Sequence, residues 1–288
     1  MALERGCGNP PARPENPPAV MTKLIVFTDL HMVPDGTTII GLDPYSRLLA
    51  GIEHVNRHHA DADRVIFTGD LTHRADAASY ERLRDLLSLL VPPAAITIGN
   101  HDHRDRFKEA FPQAGTDEHG FVQQAIDFDD CRAVLVDTLF APPYDYPLSH
   151  AGYLCERRLD WLDRTLAGAD GRPVLLFMHH PPHKTGFSGM DAIRLGNEDA
   201  FYDVVLRRGN VRHIFAGHVH RTIGGSHRGI PFSIFKSPVH QQPMPFDTPD
   251  TSLSVDEPAA YGIVVVTEHG LQVHNEDYEI ARRDVAVA

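Results

Sequence analysis

Five short segments of the chain carry side chains able to hold metal ions: Asp29-Leu30-His31, Gly69-Asp70, Gly99-Asn100-His101-Asp102, His179-His180 and Gly217-His218-Val219-His220. Carboxylate, imidazole and amide oxygen make a mixed nitrogen and oxygen donor set. Such a set suits borderline ions such as Mn, Fe, Zn or Co and not a soft, thiolate-bound metal. The spacings D-x-H and H-x-H put two donors on one side of an extended strand end, because residues two apart point the same way. Asp70 stands alone after a glycine that permits a tight turn, so it is the carboxylate best suited to share its oxygens between two ions. Two ions about 3.5–4 Å apart can hold a hydroxide between them and clamp phosphate oxygens for in-line attack, without a side-chain nucleophile. The leaving alkoxide needs a proton, and His101, next to Asn100, is placed to give one. Asp102 is expected to orient that imidazole.

Taken singly, a D-x-H after a strand is usually an exposed turn and an isolated G-D is uninformative. All five occur together in this chain, each after an apolar run, and that combination points to a metal site. Of the 19 histidines, six lie in these segments, so most of the others need no function. His180, before Pro181-Pro182, either contacts substrate or caps its strand. Arg74 is an exposed charge by default, with a phosphate contact as the sharper reading because its planar donors suit that geometry. His240 is placed similarly.

The elements that must position these residues are legible as patterns. Short apolar runs rich in β-branched residues occur at Lys23 to Thr28, Arg64 to Thr68, Ala94 to Ile98, Ala133 to Val136, Val174 to Met178 and Val211 to Phe215, and read as buried strands. Helical periodicity appears over Tyr45 to His58, Ala77 to Leu90, Glu156 to Leu166 and Glu198 to Arg207, where Trp161 falls on an apolar face. Strands alternating with helices imply an α/β sandwich. In open α/β sheets the carboxyl ends of the strands meet at one edge, which would bring all five segments to one pocket. The glycine-rich stretch Arg221 to Phe235 and the runs Tyr261 to Thr267 and Leu271 to His274 read as antiparallel strands completing a second sheet. Gly186 to Gly196 reads as a flexible loop or a pocket rim. The connector 241–258 is too long for a simple turn and is a functional or mobile loop.

The order D-x-H, G-D, G-N-H-D, H, G-H-x-H across residues 23–220 resembles the calcineurin-like metallophosphoesterases. The resemblance implies a four-layer α/β/β/α sandwich of two mixed sheets flanked by helices. It places Asp29, His31, Asp70 and His220 on one ion, and Asp70, Asn100, His179 and His218 on the other, with His101 as proton donor and Asn100 and His101 also at the substrate. MHHPP at 178–182 and SPVHQQP at 237–243 further resemble the bacterial cyclic-nucleotide phosphodiesterases and glycerophosphodiesterases. The implied activity is hydrolysis of a small phosphodiester, a 3',5'-cyclic nucleotide or a glycerophosphodiester, by a metal-bridging hydroxide. A promiscuous phosphomonoesterase or nucleotide pyrophosphatase is the alternative. A non-catalytic binding module would predict lost ligands, whereas all seven positions carry competent donors. The same branch implies a dimer or larger homo-oligomer. At the position where purple acid phosphatases carry a Tyr three residues after the bridging Asp stands His73, so no tyrosinate-bound iron is expected. The longer arginine-bearing motifs of the protein phosphatases are also missing.

Composition bounds the rest. With 288 residues and 42% hydrophobic, the chain suffices for one large domain, read as 21–288. The formal charge of -12 argues against a nucleic-acid backbone or an anionic membrane as partner and leaves a small phosphate ester. Three cysteines without C-x-x-C spacing suggest neither a disulfide framework nor a thiolate zinc site, and make the reducing cytoplasm the default. No apolar run reaches the roughly 18 residues of a membrane span. Residues 1–20 have the proline-rich composition of an arm, with Met21 a candidate start and an interface-binding arm the competing account.

Overall fold

The computed structural model describes residues 20–140 and 148–280; most of the 1–20 arm therefore lies outside the described residues. The apolar runs become strands that alternate faces. In β1 (Val20–Phe27), Leu24 and Val26 point one way into a cluster with Ile66, Leu135, Phe177 and Phe215, while Ile25 and Phe27 point the other way among helix residues. The same alternation runs through β2 (Arg64–Thr68), β3 (Ala94–Thr97), β5 (Arg132–Val136), β6 (Val174–Met178) and β7 (Val211–Ala216). Both faces being buried explains why these strands read as continuous apolar runs.

Two sheets result. One has the order β11-β10-β1-β2-β3 and the other β4-β5-β6-β7-β9-β8, with β4 at Gln124–Asp127, β8 at Ile223–His227, β9 at Ile230–Ile234, β10 at Ala260–Thr267 and β11 at Gly270–Asp277. The sheets face each other across the inner cluster, where Phe177 and its neighbour Phe215 of the second sheet, ring centroids 4.7 Å apart, pack with Leu24, Val26 and Ile66 of the first. Helices α1 (Pro44–His58), α2 (Ala77–Leu87) and α3 (Arg104–Ala110) cover the first sheet through Leu48, Ile52, Leu83 and Phe107. Helices α4 (Glu156–Ala167) and α6 (Glu198–Arg208) cover the second through Trp161, Leu162, Phe201 and Tyr202. The four-layer α/β/β/α order is the expected one.

Local chemistry explains the helix ends. Asp43 caps α1 by accepting from the Tyr45 and Ser46 amides, with Pro44 at the first helical position. Gly209 closes α6 in the left-handed conformation, φ 68°.

Two expectations are corrected. The strands near residues 261–274 do not complete the second sheet: β10 lies antiparallel to β1, pairing Ile25 with Ile263, and carries β11 on its far side. The glycine-rich stretch supplies the second sheet instead, as a β8–β9 hairpin whose β9 runs parallel to β7. Periodicity identifies a strand but not its neighbour. The 186–196 tract contains a short helix, α5 (Ser188–Ala192), with Phe187 and Met190 buried.

Candidate metal centre

Seven candidate donors stand at the carboxyl ends of five strands. Asp29 and His31 follow β1, Asp70 follows β2 and Asn100 follows β3, all from the first sheet; His179 follows β6, and His218 and His220 follow β7, from the second. Five of the seven occupy the left-handed region: Asp29 (φ 56°), His31 (44°), Asp70 (49°), His218 (69°) and His220 (52°). The expectation that D-x-H and H-x-H form extended strand ends is thus wrong in detail. The chain instead turns sharply at each donor, held by amide bonds between loops, such as Asp29 N to Gly69 O (3.0 Å) and His31 N to Asp70 O (2.9 Å). Such conformations cost roughly 1–3 kcal/mol each outside glycine, and they gather where function requires a fixed geometry. Glycine makes the close approach possible: a Cβ on Gly99 would fall 2.5 Å from the Asp70 amide nitrogen and 2.8 Å from the His179 ring.

Asp70 lies between two groups of donors. Its Oδ2 is 3.8 Å from His31 Nε2 on one side and 3.3 Å from His179 Nε2 on the other. On the first side Asp29, His31 and Asp70 bring donor atoms within 4.8 Å of one another, and His220 Nε2 stands 3.2 Å from Asp29 Oδ1. On the second side His179 Nε2 lies 3.1 Å from Asn100 Oδ1 and 3.2 Å from His218 Nδ1. Both carboxylates are buried.

The hydrogen bonds around these groups set the tautomers. His179 Nδ1 donates to the Thr68 carbonyl (3.1 Å) and His220 Nδ1 to the His240 carbonyl (2.9 Å). A carbonyl only accepts, so in the neutral rings each Nε2 presents a lone pair to the centre. There His220 Nε2 meets His31 Nε2 at 3.1 Å, and His179 Nε2 meets His218 Nδ1 at 3.2 Å. Converging lone pairs beside two buried carboxylates are costly by themselves and are satisfied by cations. The residues present therefore fit bound metal ions. Burial pulls the His179 imidazolium down, but the adjacent Asp70 carboxylate more than reverses this and carries it to about 9.

The surrounding residues divide less as expected. Asp102 does not touch the His101 ring. Its carboxylate accepts from the amides of Leu71 (3.0 Å), Thr72 (3.2 Å) and Gly99 (3.0 Å) and from the Tyr80 hydroxyl (3.0 Å), so it ties the Asp70 loop to the Asn100 loop. Burial, and then the Asp70 charge, push its carboxyl up to about 6. His101 Nδ1 donates instead to the His73 carbonyl (2.9 Å), and its amide donates to Asp70 Oδ1 (2.9 Å). His180 is fully buried, its Nδ1 paired with the Thr138 hydroxyl (2.7 Å) and its Nε2 with the His150 carbonyl (3.1 Å), and it does not line the cleft where the substrate contact was expected. Arg74 is exposed and does not line the cleft. His240 does line it, with Nδ1 paired to Ser254 Oγ (2.9 Å).

Above the donors opens a cleft of about 350 Å³, whose floor includes Asp70, Asn100 and His101. Two histidines that the motifs did not single out as site residues stand at its edge. The His73 ring stacks on His101 at 5.4 Å, and His150 Nδ1 lies 3.2 Å from Asn100 Nδ2. The position of His73, three residues after Asp70, was a usable signal; nothing local marks His150. The 241–258 connector folds over the cleft, pinned by the paired Gln241 and Val255 backbones, and its residues 251–254 line one wall.

A four-layer sandwich with acid, imidazole and amide donors gathered at the carboxyl ends of both sheets defines a metallophosphoesterase, a hydrolase of phosphate esters. The Calcineurin-like phosphoesterase family profile matches residues 22–222, and the chain belongs to that family. It is 41% identical over 254 residues to a probable cyclic nucleotide phosphodiesterase of Rhodopseudomonas palustris, covering 88% of this chain and 91% of that one. It is 30% identical over 213 residues to the 3',5'-cyclic adenosine monophosphate phosphodiesterase CpdA of Pseudomonas aeruginosa, covering 73% and 74%. It is 28% identical over 256 residues to a probable glycerophosphodiester phosphodiesterase GpdQ of Arcobacter nitrofigilis, covering 87% and 91%. Among solved structures, a dimetal phosphatase from Danio rerio shares the fold with a TM-score of 0.65 at 16% identity, over 90% of this chain and all of that one. Among the described residues, no helix is long and apolar enough to cross a membrane.

Proposed function

We propose that the chain is a binuclear metal-dependent phosphodiesterase of small diesters, with 3',5'-cyclic nucleotides the leading substrate class. The observation that carries this is the position of Asp70 between two donor groups, Asp29–His31–His220 and Asn100–His179–His218. The names of the relatives support the substrate class. Two bound ions from the set Mn, Fe, Zn and Co would supply Lewis-acid neutralisation of the phosphate and activation of the attacking water.

The chain's own residues do the rest. The loop bonds of Asp29, Asp70 and His218 hold the donors in place before substrate arrives, so little reorganisation is needed during reaction. Asn100 and His101 face the cleft floor and contact the phosphate. With its Nδ1–H committed to the His73 carbonyl, His101 acts as the acid in its doubly protonated form, giving the Nε2 proton to the departing alkoxide and keeping the Nδ1 proton. His240 stands at the cleft wall as a further substrate contact. A cleft of about 350 Å³ admits a nucleotide-sized molecule. The glycerophosphodiester reading is the second choice, favoured by the GpdQ relatives. Free Cys131 and Cys155 suit a reducing cytoplasm, and the branch resemblance supports a homo-oligomer, which sedimentation would measure.

The test pairs elemental analysis after loading with Mn or Fe with turnover of 3',5'-cyclic AMP and bis(p-nitrophenyl) phosphate. Two ions per chain and turnover of both are expected. Fewer than two ions together with no turnover would overturn the reading.

A further inference from the structure

Between β1 and α1 the chain makes a two-residue turn. Ile39 and Leu42 pair their backbones (2.9 and 2.8 Å), and Ile40 and Gly41 form the tip with φ 47° and 84°. Both central residues at positive φ make a turn whose first position ordinarily takes Asn, Asp or Gly. Ile40 is β-branched, the side-chain class that tolerates this conformation worst. It is 51% exposed and belongs to none of the three hydrophobic clusters. A strained, exposed, apolar side chain is retained at the turn tip, and it lines the cleft.

Beside its histidines the cleft lining combines apolar side chains with the uncharged polar Gln242, Thr251, Ser252 and Ser254. Ile39 and Ile40 come from this turn, Met190 and Ile193 from α5 and the residue following it, and Leu253, 43% exposed, from the connector. No lysine or arginine lines the cleft among the described residues. Among the described residues the lining therefore offers a phosphate no lysine or arginine, and a second phosphate on the ligand, away from the histidines and the metal centre, would meet only uncharged side chains.

Building on the phosphodiesterase reading above, we infer that Ile40 is a specificity-determining residue that packs against an apolar, flat organic group, such as a nucleobase or aryl ring, of a diester bearing a single phosphate. This favours nucleobase-bearing diesters over glycerophosphodiesters and over molecules with a polyphosphate chain. The strain at Ile40 is the cost of placing a branched apolar group at a tip where Asn would fold more easily.

The test uses Ile40→Asn and Ile40→Gly in the metal-loaded full chain. Calorimetric titration compares two unreactive diesters, diphenyl phosphate and dimethyl phosphate, and kinetics compare 3',5'-cyclic AMP with glycerophosphoethanolamine. The wild type should prefer the aryl diester, and Ile40→Asn should lower that preference roughly tenfold, as expected for an apolar contact in a pocket. The kcat/KM for cyclic AMP should fall by the same factor through KM, with glycerophosphoethanolamine changed less than about twofold. Tm should hold or rise because backbone strain is relieved, and the sedimentation coefficient should not change. An unchanged preference, equal loss for both diesters, a lower Tm, a changed oligomeric state, or a wild type that binds neither diester overturns the assignment. Aryl preference without turnover of cyclic AMP would sink the catalytic reading and leave the Ile40 assignment standing.

Discussion

At the level of single residues, the motif positions divide by what their side chains touch. Asp70 is shared between donor groups, so Asp70→Ala should abolish turnover, with a loss of at least about 1000-fold, and lower metal content in the same preparation. His101→Ala should retain two ions per chain and lose about 100-fold on alkyl esters, while losing little on p-nitrophenyl esters, whose leaving group needs no proton. Equal losses on the two ester classes would refute the acid role. Asp102 belongs to a different category, since its carboxylate binds three amides and a hydroxyl from two loops. The convergence of the candidate donors was legible from the spacing of Asp, His and Asn after apolar runs. Their backbone conformation was not, because a positive φ at Asp29 or His218 is imposed by bonds to loops distant in sequence. Asp102 illustrates the same limit: adjacency to His101 suggested a partnership that the turn of the chain does not permit.

At the level of elements, the strands that end in donors were readable because both faces are buried and their apolar runs are continuous. Short β4 has an alternating, half-exposed pattern and gave no such signal. Helices α3 and α5 are too short for a periodicity and lack a side-chain cap. The pairing of β10 with β1 depends on which edge remains open after the earlier strands have assembled, which no local pattern encodes. Phe177 tests the contact between the sheets. Replacing it by Ala should cost about 3–5 kcal/mol, measured by denaturant unfolding, with the metal site intact in the folded fraction. Gly99→Ala makes the opposite kind of change: the added methyl meets the Asp70 backbone and the His179 ring, so activity should fall further than stability.

For the molecule as a whole, pH acts through buried histidines as well as through the centre. His213 on β7 is buried beside Phe215 and bonded to Ser233 Oγ at 2.9 Å, and burial lowers its pKa from 6.5 to about 4. A base depressed in the folded state is protonated first in the unfolded chain. Its contribution is therefore complete above pH 6.5 and is lost as pH falls towards 4, by at most about 3 kcal/mol. Calorimetric Tm values between pH 4 and 7 should show a shallower acid slope in His213→Gln than in the wild type. A parallel pair of curves would contradict this.

The allocation of donors, four to one sheet and three to the other, has a mechanical consequence. Ions bound there would act as a clasp across the seam between two half-structures that otherwise adhere through apolar faces. Chelation would then behave as a denaturant aimed at that seam. Hundredfold excess of metal over its Kd should add about 2.7 kcal/mol to stability, and its removal should speed amide exchange first in the loops after β1 and β7, where the clasp would open.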